Sequence, residues 1–259
     1  MKVSACTAFY LAASKNFVLM IWARNIVTAK ALKSPEYFVY CVLFKANFWG
    51  KRTAQIAKEK IFELPRLGGK KMNKQIDITD VVLTTDRLTL RPWRESDLSD
   101  FYEYASVDGV GQMAGWNPHR DLEESRAILS RFINGKRVFA LEYQGKVIGS
   151  LGIEEYSEKN YPELNALQGR EIGYVLSKAY WGQGLMPEAV KTVIDWLFRE
   201  VSLDFIMVGH FDWNSQSWRV VEKCGFRYIK TTKYKTRYDT VENSLEYILY
   251  HPERRNVRC

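Results

Sequence analysis

The stretch Tyr180 to Ala189 reads YWGQGLMPEA. Two glycines two residues apart stand ahead of Pro187, and a helical pattern follows. A helix beginning near Pro187 leaves its first backbone N–H groups without carbonyl partners. The aligned peptide dipoles add partial positive charge at that end. Gly182 and Gly184 carry no side chain to hold an anion off those amides. The chemistry on offer is capture of a phosphate or pyrophosphate by bare backbone. The loop is not a Walker loop, because no Gly-Lys-Ser/Thr follows. Nor is it the dinucleotide fingerprint, since Pro187 stands where a third glycine is needed. On glycine content alone, a tight turn before a helix is the competing reading.

The remaining reactive residue types are sparse. Cys6, Cys41, Cys224 and Cys259 form no C-x-x-C pair, and three histidines give no zinc spacing. Reduced thiols in a cytoplasmic protein with no metal is the simplest reading. Cys224 falls in an apolar helical pattern and reads as core, not nucleophile.

The elements around the glycine pair alternate between strand and helix periods. Arg87–Trp93 alternates as a half-buried strand. Glu95–Ser106 is a helix with Ser96 and Asp97 as N-cap candidates. Gly109–His119 reads as loop. Asp121–Gly135 is a second helix stopped by Asn134-Gly135. Arg137–Tyr156 is a hairpin about Gln144-Gly145. Ser157–Gly169 is a polar loop, and Arg170–Ser177 a strand with Gly173 inside it. A strand glycine marks a bulge or a close approach to the backbone. Pro187–Val201 is a helix, Asp204–Phe211 a buried strand and Asn214–Gly225 a short helix, and two strands follow. The order is β-α-α-β-β-β-α-β-α-β-β in one core. Gly173, the Gly182/Gly184 pair and Asn214 fall on successive strand-to-helix units, where open α/β folds place ligands.

The formal net charge is +8, but it is unevenly spread. Residues 1–71 hold 13 Lys+Arg against Glu36, Glu59 and Glu63; residues 72–259 hold 25 basic and 27 acidic residues. The larger part therefore gives no charge argument for nucleic acid. The apolar runs Phe17–Ala23 and Tyr37–Phe44 are far shorter than the roughly 20 residues that span a bilayer. Residues 1–71 read as a basic N-terminal extension: an interfacial anchor, a transit peptide, or upstream sequence ahead of the true start. Gly68-Gly69-Lys70-Lys71 back-translates, in a bacterial source, to a purine-rich ribosome-binding run before Met72, which favours the last. The domain expected is 72–259, with a core over about 83–250, and no membrane association unless residues 1–71 are native.

Three blocks, TTDRLTLRPWRESDLSDFYEYA, REIGYVLSKAYWGQGLMPEAV and NSQSWRVVEKCGF, closely resemble the GNAT N-acetyltransferase superfamily. The match is to the RimJ/RimL-like branch, which includes ribosomal-protein N-terminal acetyltransferases, and covers roughly Leu83 to Tyr250. The resemblance implies the GNAT acyl-CoA N-acyltransferase fold, an α/β fold with a mixed, mostly antiparallel sheet flanked by helices. It implies acetyl-CoA as co-substrate and a small-molecule or peptide primary amine as acceptor, in a monomer or homodimer.

The implied roles are specific. Gln183, Gly184, Leu185 and Met186 supply amides to the pyrophosphate, with Met186 larger than the family's Gly/Ala at its place. Backbone groups of Tyr174, Val175 and Leu176 face the pantetheine arm, on a strand that GNAT proteins splay from the next. Asn214 bonds the pantetheine amides or caps its helix, and Ser217 assists the leaving thiolate. The tyrosine many relatives carry four residues on is Val221 here. An amine must be neutral to attack, so a base is needed. Glu171 is the first candidate, against a surface pairing with Arg170; Glu154 and Glu155 come second. Trp116 and His119 form one lip of the acceptor site, with Glu154 nearby. Glu158 and Glu163 would add negative charge. The alternative function is a non-catalytic acyl-CoA-binding regulatory module on the same fold.

Overall fold

The computed structural model describes residues 72–254, together with the backbone of 11–14 and 17–20. The chain divides into units over Met1–Lys70 and Lys71–Cys259. In the first, β1 (Leu11–Ser14) and β2 (Phe17–Met20) pair antiparallel. The run Tyr37–Phe44 and the reading of 1–71 as an extension otherwise lie outside the described residues. Among the described residues, no helix is long and apolar enough to cross a membrane.

The second unit runs β3 (Leu83–Thr84), β4 (Leu88–Pro92), α1 (Leu98–Ala105), α2 (Leu122–Gly135), β5 (Val138–Tyr143) and β6 (Lys146–Glu154). It continues with β7 (Gly169–Leu176), α3 (Leu185–Arg199), β8 (Phe205–Phe211), α4 (Ser215–Lys223), β9 (Arg227–Lys235) and β10 (Val241–Tyr250). The sheet order is β3-β4-β5-β6-β7-β8-β10-β9. Only β7 and β8 are parallel; the other neighbours are antiparallel. This is the mixed, mostly antiparallel sheet that the resemblance implies.

Strand alternation sends side chains to two faces, each covered by a different helix pair. On one face Leu141, Ile148, Leu151, Ile172 and Val208 meet the apolar stripe of α3, including Val190, Val193 and Leu197. On the other, Ala140 and Val147 meet Phe101 and Tyr104 of α1 and Leu129 of α2. Burying each large apolar side chain stabilises by about 1.5–3 kcal/mol. Between β4 and α1 lies a buried ion cluster. Arg91 grips Asp97 with two nitrogens, at 2.8 and 2.9 Å, and its Nε donates to Glu142 at 2.7 Å. Asp97 is thus not a simple cap for α1; its carboxylate also accepts from the Arg94 N–H.

Several local expectations need correction. Lys136, at φ 52°, takes the left-handed position that ends α2, one residue beyond the expected Gly135. The Ser157–Gly169 loop is polar only in part, because Tyr161, Leu164 and Leu167 are buried against Phe205 and Met207. Buried residues also lie ahead of residue 83. Ile76 and Ile78 are buried, and Asn73 is held by Tyr156 and Glu158.

Candidate active site

β7 and β8 pair from Gly169/Phe205 to Ile172/Val208 and then part, although both strands continue. A cavity of about 630 Å³ opens at the split. Tyr174 shares a face with Ile172 and looks toward α3 and α4. Glu171 and Gly173 look to the opposite face. The cavity therefore reaches both faces of the sheet, and the gap between the strands joins them.

The backbone at the split follows from strand alternation. The Ser177 N–H donates to Ile148 on β6. The Val175 carbonyl also faces β6, since a Cβ on Gly149 would lie 2.4 Å from it. Tyr174 and Leu176 therefore turn their backbone groups to the open edge. Of the three expected backbone contacts, Tyr174 is well placed. Val175 spends its carbonyl on the β6 side. The Leu176 carbonyl accepts from the Trp181 indole at 2.7 Å.

The glycine loop leads into α3 two residues earlier than Pro187. Gly184 is the N-cap, at φ 77°, a conformation in which a Cβ is strained. Its carbonyl accepts from the Glu188 N–H at 3.3 Å, closing the first turn. Leu185, Met186 and Pro187 are then the first three helical residues. Their N–H positions have no helical acceptor, and Pro187 loses nothing there. Met186 is 5% exposed and packs into the main core, so its bulk points away from the loop amides. Gln183 is exposed, and its carbonyl accepts from Arg87 at 2.9 Å. Arg87 also chelates Glu188 through Nε and Nη2, at 2.8 and 2.6 Å. This clamp from the start of β4 fixes the loop. Its partners are about a hundred residues away in sequence, so no local pattern announces it.

On α4, Asn214 is the N-cap, accepting from the Ser217 N–H at 3.0 Å. Its Nδ2 donates to the Met113 carbonyl at 3.1 Å. Each end of the amide makes one bond, which leaves a second N–H and a second lone pair for a ligand, and Asn214 lines the cavity. Ser217 lines the cavity, and its Oγ lies 2.9 Å from the Tyr174 hydroxyl. Val221 is 1% exposed and apolar. Burial pushes the Cys224 thiol up to about 11, and its Sγ lies 3.8 Å from the Pro187 carbonyl, in keeping with a packing role.

On the opposite face, Glu171 and Glu154 are register neighbours. Burial, then Glu246 and then Glu154, raise the Glu171 carboxyl to about 7. The competing pairing of Glu171 with Arg170 does not form. Arg170 turns the other way, donating to the Lys74 carbonyl and lying 3.7 Å from Glu155. Glu154 faces the cavity and pairs with Arg137 at 3.3 Å. Glu246 of β10, 8% exposed, accepts from Thr232 at 2.9 Å; the sequence reading missed it. The floor beside these carboxylates has no side chains. Gly152 pairs with Gly173, and Gly209 stands at the next level of β8, beside Glu246. All three glycines line the cavity.

Trp116 lines the cavity as expected. His119 does not: it is buried, its Nδ1 is 2.7 Å from Ser125 Oγ, and its ring packs on Phe101 and Trp116. Burial lowers its pKa, as for a neutral packed imidazole. Glu155, Glu158 and Glu163 are not lining residues either. Glu158 instead holds Asn73. Tyr234 and Arg237, from the β9–β10 end, complete the wall, and the Arg237 N–H ties the Trp116 loop through Gly115 at 2.8 Å.

Comparison with known proteins agrees with this geometry. A family profile described as an acetyltransferase (GNAT) domain matches residues 87–227. The chain is 49% identical over 61 residues to the probable N-acetyltransferase YjcK of Bacillus subtilis, covering 24% of this chain and 34% of that relative. It is 29% identical over 157 residues to the uncharacterized N-acetyltransferase p20 of Bacillus licheniformis, covering 56% of this chain and 82% of that one. A GNAT-family acetyltransferase structure from Bacillus anthracis superposes with a TM-score of 0.58 at 20% identity, covering 66% and 99% of the two chains. A split parallel strand pair, a glycine-capped helix beside it and a family match over more than half the chain lead to one conclusion: the chain belongs to the GNAT acetyltransferases, a family of acetyl-CoA-dependent N-acyltransferases.

Proposed function

We propose that this protein transfers an acetyl group from acetyl-CoA to a primary amine by direct attack in a ternary complex. The observation that carries the reading is the split between β7 and β8, which joins an anion-binding face to an acidic face. Acetyl-CoA supplies an activated acetyl thioester. The donor side fits it: the amides at Gly184, Leu185 and Met186 suit a pyrophosphate, and the open backbone of Tyr174 suits an amide-bearing arm. The Tyr174 N–H also stands where charge develops on the acetyl oxygen. Ser217 serves the leaving sulfur.

The acceptor side is the glycine-floored trough flanked by Glu154, Glu171 and Glu246. These carboxylates favour a cationic amine, and the bare floor admits a slender one. Arg219, Lys223 and Arg237 are the cations among the residues that line the same cavity. Glu171 takes the proton the amine must lose, directly or through water. A carboxyl near 7 is matched to that task at neutral pH. A protein N-terminus and a small-molecule amine both meet these requirements.

The test is release of free coenzyme A from acetyl-CoA with a panel of peptide N-termini, monoamines and polyamines. Turnover is expected on amines, fastest on those with further positive charge. Tight acetyl-CoA binding without turnover on any amine would favour the regulatory module instead.

A further inference from the structure

We propose that Tyr174 is a positioning residue for the leaving group: its hydroxyl donates to Ser217 Oγ and so frees the Ser217 proton to point at the departing sulfur. The inference rests on the reading above that Ser217 faces the thioester sulfur. The two oxygens are 2.9 Å apart, whereas the Ser217 carbonyl is 3.4 Å from the phenol. Either oxygen can donate across the 2.9 Å contact, and with the phenol as donor the Ser217 proton is left free. Both residues line the cavity.

Each hydroxyl is held by a rigid element. Tyr174 stands in β7 and packs against the main core. Ser217 stands in the first turn of α4, its N–H fixed by the Asn214 cap. A serine hydroxyl has one proton to give and two lone pairs. A serine at this position can turn that proton back onto a carbonyl three or four residues before it, here Asn214 or Trp213. Donation from Tyr174 opposes that collapse. Burial raises the Tyr174 pKa, so at neutral pH the phenol keeps its proton and has one to donate. Val221, one turn further along α4, offers no hydroxyl.

The balance of the step is simple. The amine nitrogen bonds to the acetyl carbon, and the C–S bond breaks with its electron pair on sulfur. The proton lost by nitrogen goes to Glu171. Ser217 gives a hydrogen bond to the growing thiolate, Tyr174 gives one to Ser217 Oγ, and neither loses a proton, so both end as they began.

The test compares Tyr174→Phe, Ser217→Ala and the double variant in the full chain. Steady-state kinetics are read beside calorimetric affinity for free coenzyme A from pH 6.5 to 9.5. Tyr174→Phe is expected to lower kcat about fivefold, the worth of one hydrogen bond, with KM for acetyl-CoA within about twofold. In the parent protein, coenzyme A binds more tightly as its thiol ionises, at about 8.5 for an ordinary thiol. Both single variants flatten that rise, while acetyl-CoA, lacking a thiol, shows none. The double variant is expected to be no slower than Ser217→Ala, since Tyr174 acts through it. An unchanged kcat and pH profile in Tyr174→Phe, or additive losses in the double variant, overturns the role of Tyr174 alone. A Ser217→Ala variant unchanged in both readouts overturns the placement of Ser217, and this inference with it.

Discussion

Glu171 stands between Glu154 and Glu246, and burial with those neighbours raises its carboxyl from 4.5 to about 7. If it is the base, kcat/KM rises with pH through an apparent pKa near 7, and Glu171→Gln abolishes that limb. The same shift acts on stability. The folded chain holds a proton that the unfolded chain releases between pH 4.5 and 7. Stability from this group therefore falls as pH rises through that window. Glu171→Gln is expected to raise Tm at pH 8 by about 2–4 °C while slowing turnover. A lower Tm at pH 8 would show that the carboxylate is compensated in the fold. At this scale the sequence was informative wherever the signal was local. Asn214 announces itself as a cap beside an apolar stripe, and the glycine pair announces a turn ahead of a helix. Glu246 does not, because its role depends on which face of β10 meets β8.

The split between β7 and β8 is an element-scale feature with one sequence sign, the glycine inside a strand pattern. That sign is ambiguous, because Gly149 and Gly169 also lie in strands. The structure separates them. A Cβ on Gly173 meets nothing within 4 Å, whereas one on Gly149 would lie 2.4 Å from the Val175 carbonyl. Gly149→Ala is therefore expected to destabilise by about 1–3 kcal/mol through overpacking against backbone. Gly173→Val is expected to leave Tm unchanged within about 2 °C and to lower kcat/KM at least about tenfold by filling the trough. Full activity in Gly173→Val would remove the trough from the acceptor path. The start of α3 teaches a related lesson. Pro187 suits any of the first helical positions, so it marked the helix without fixing its first residue. The two-residue difference places Met186 in the core, which a linear motif does not show.

For the sheet unit as a whole, the site depends on long-range ties that no short motif carries. Arg87 reaches the α3 loop, Arg237 reaches the Trp116 loop, and Arg91 locks β4 to the entry of α1. Arg91→Ala leaves Asp97 buried without its partner and is expected to cost about 3–5 kcal/mol. A denaturant midpoint unchanged from the parent would contradict that. The alternation of strand and helix periods made the architecture legible, since each period follows from which face is buried. The acidic trough was not legible, because its glycines and carboxylates converge only when four strands are in register. The central claim is that both substrates occupy this one cavity at once, and initial velocities against acetyl-CoA at several fixed amine concentrations test it most directly. Reciprocal plots that intersect are the expected result; parallel lines, the mark of a covalent acetyl-enzyme, would contradict it.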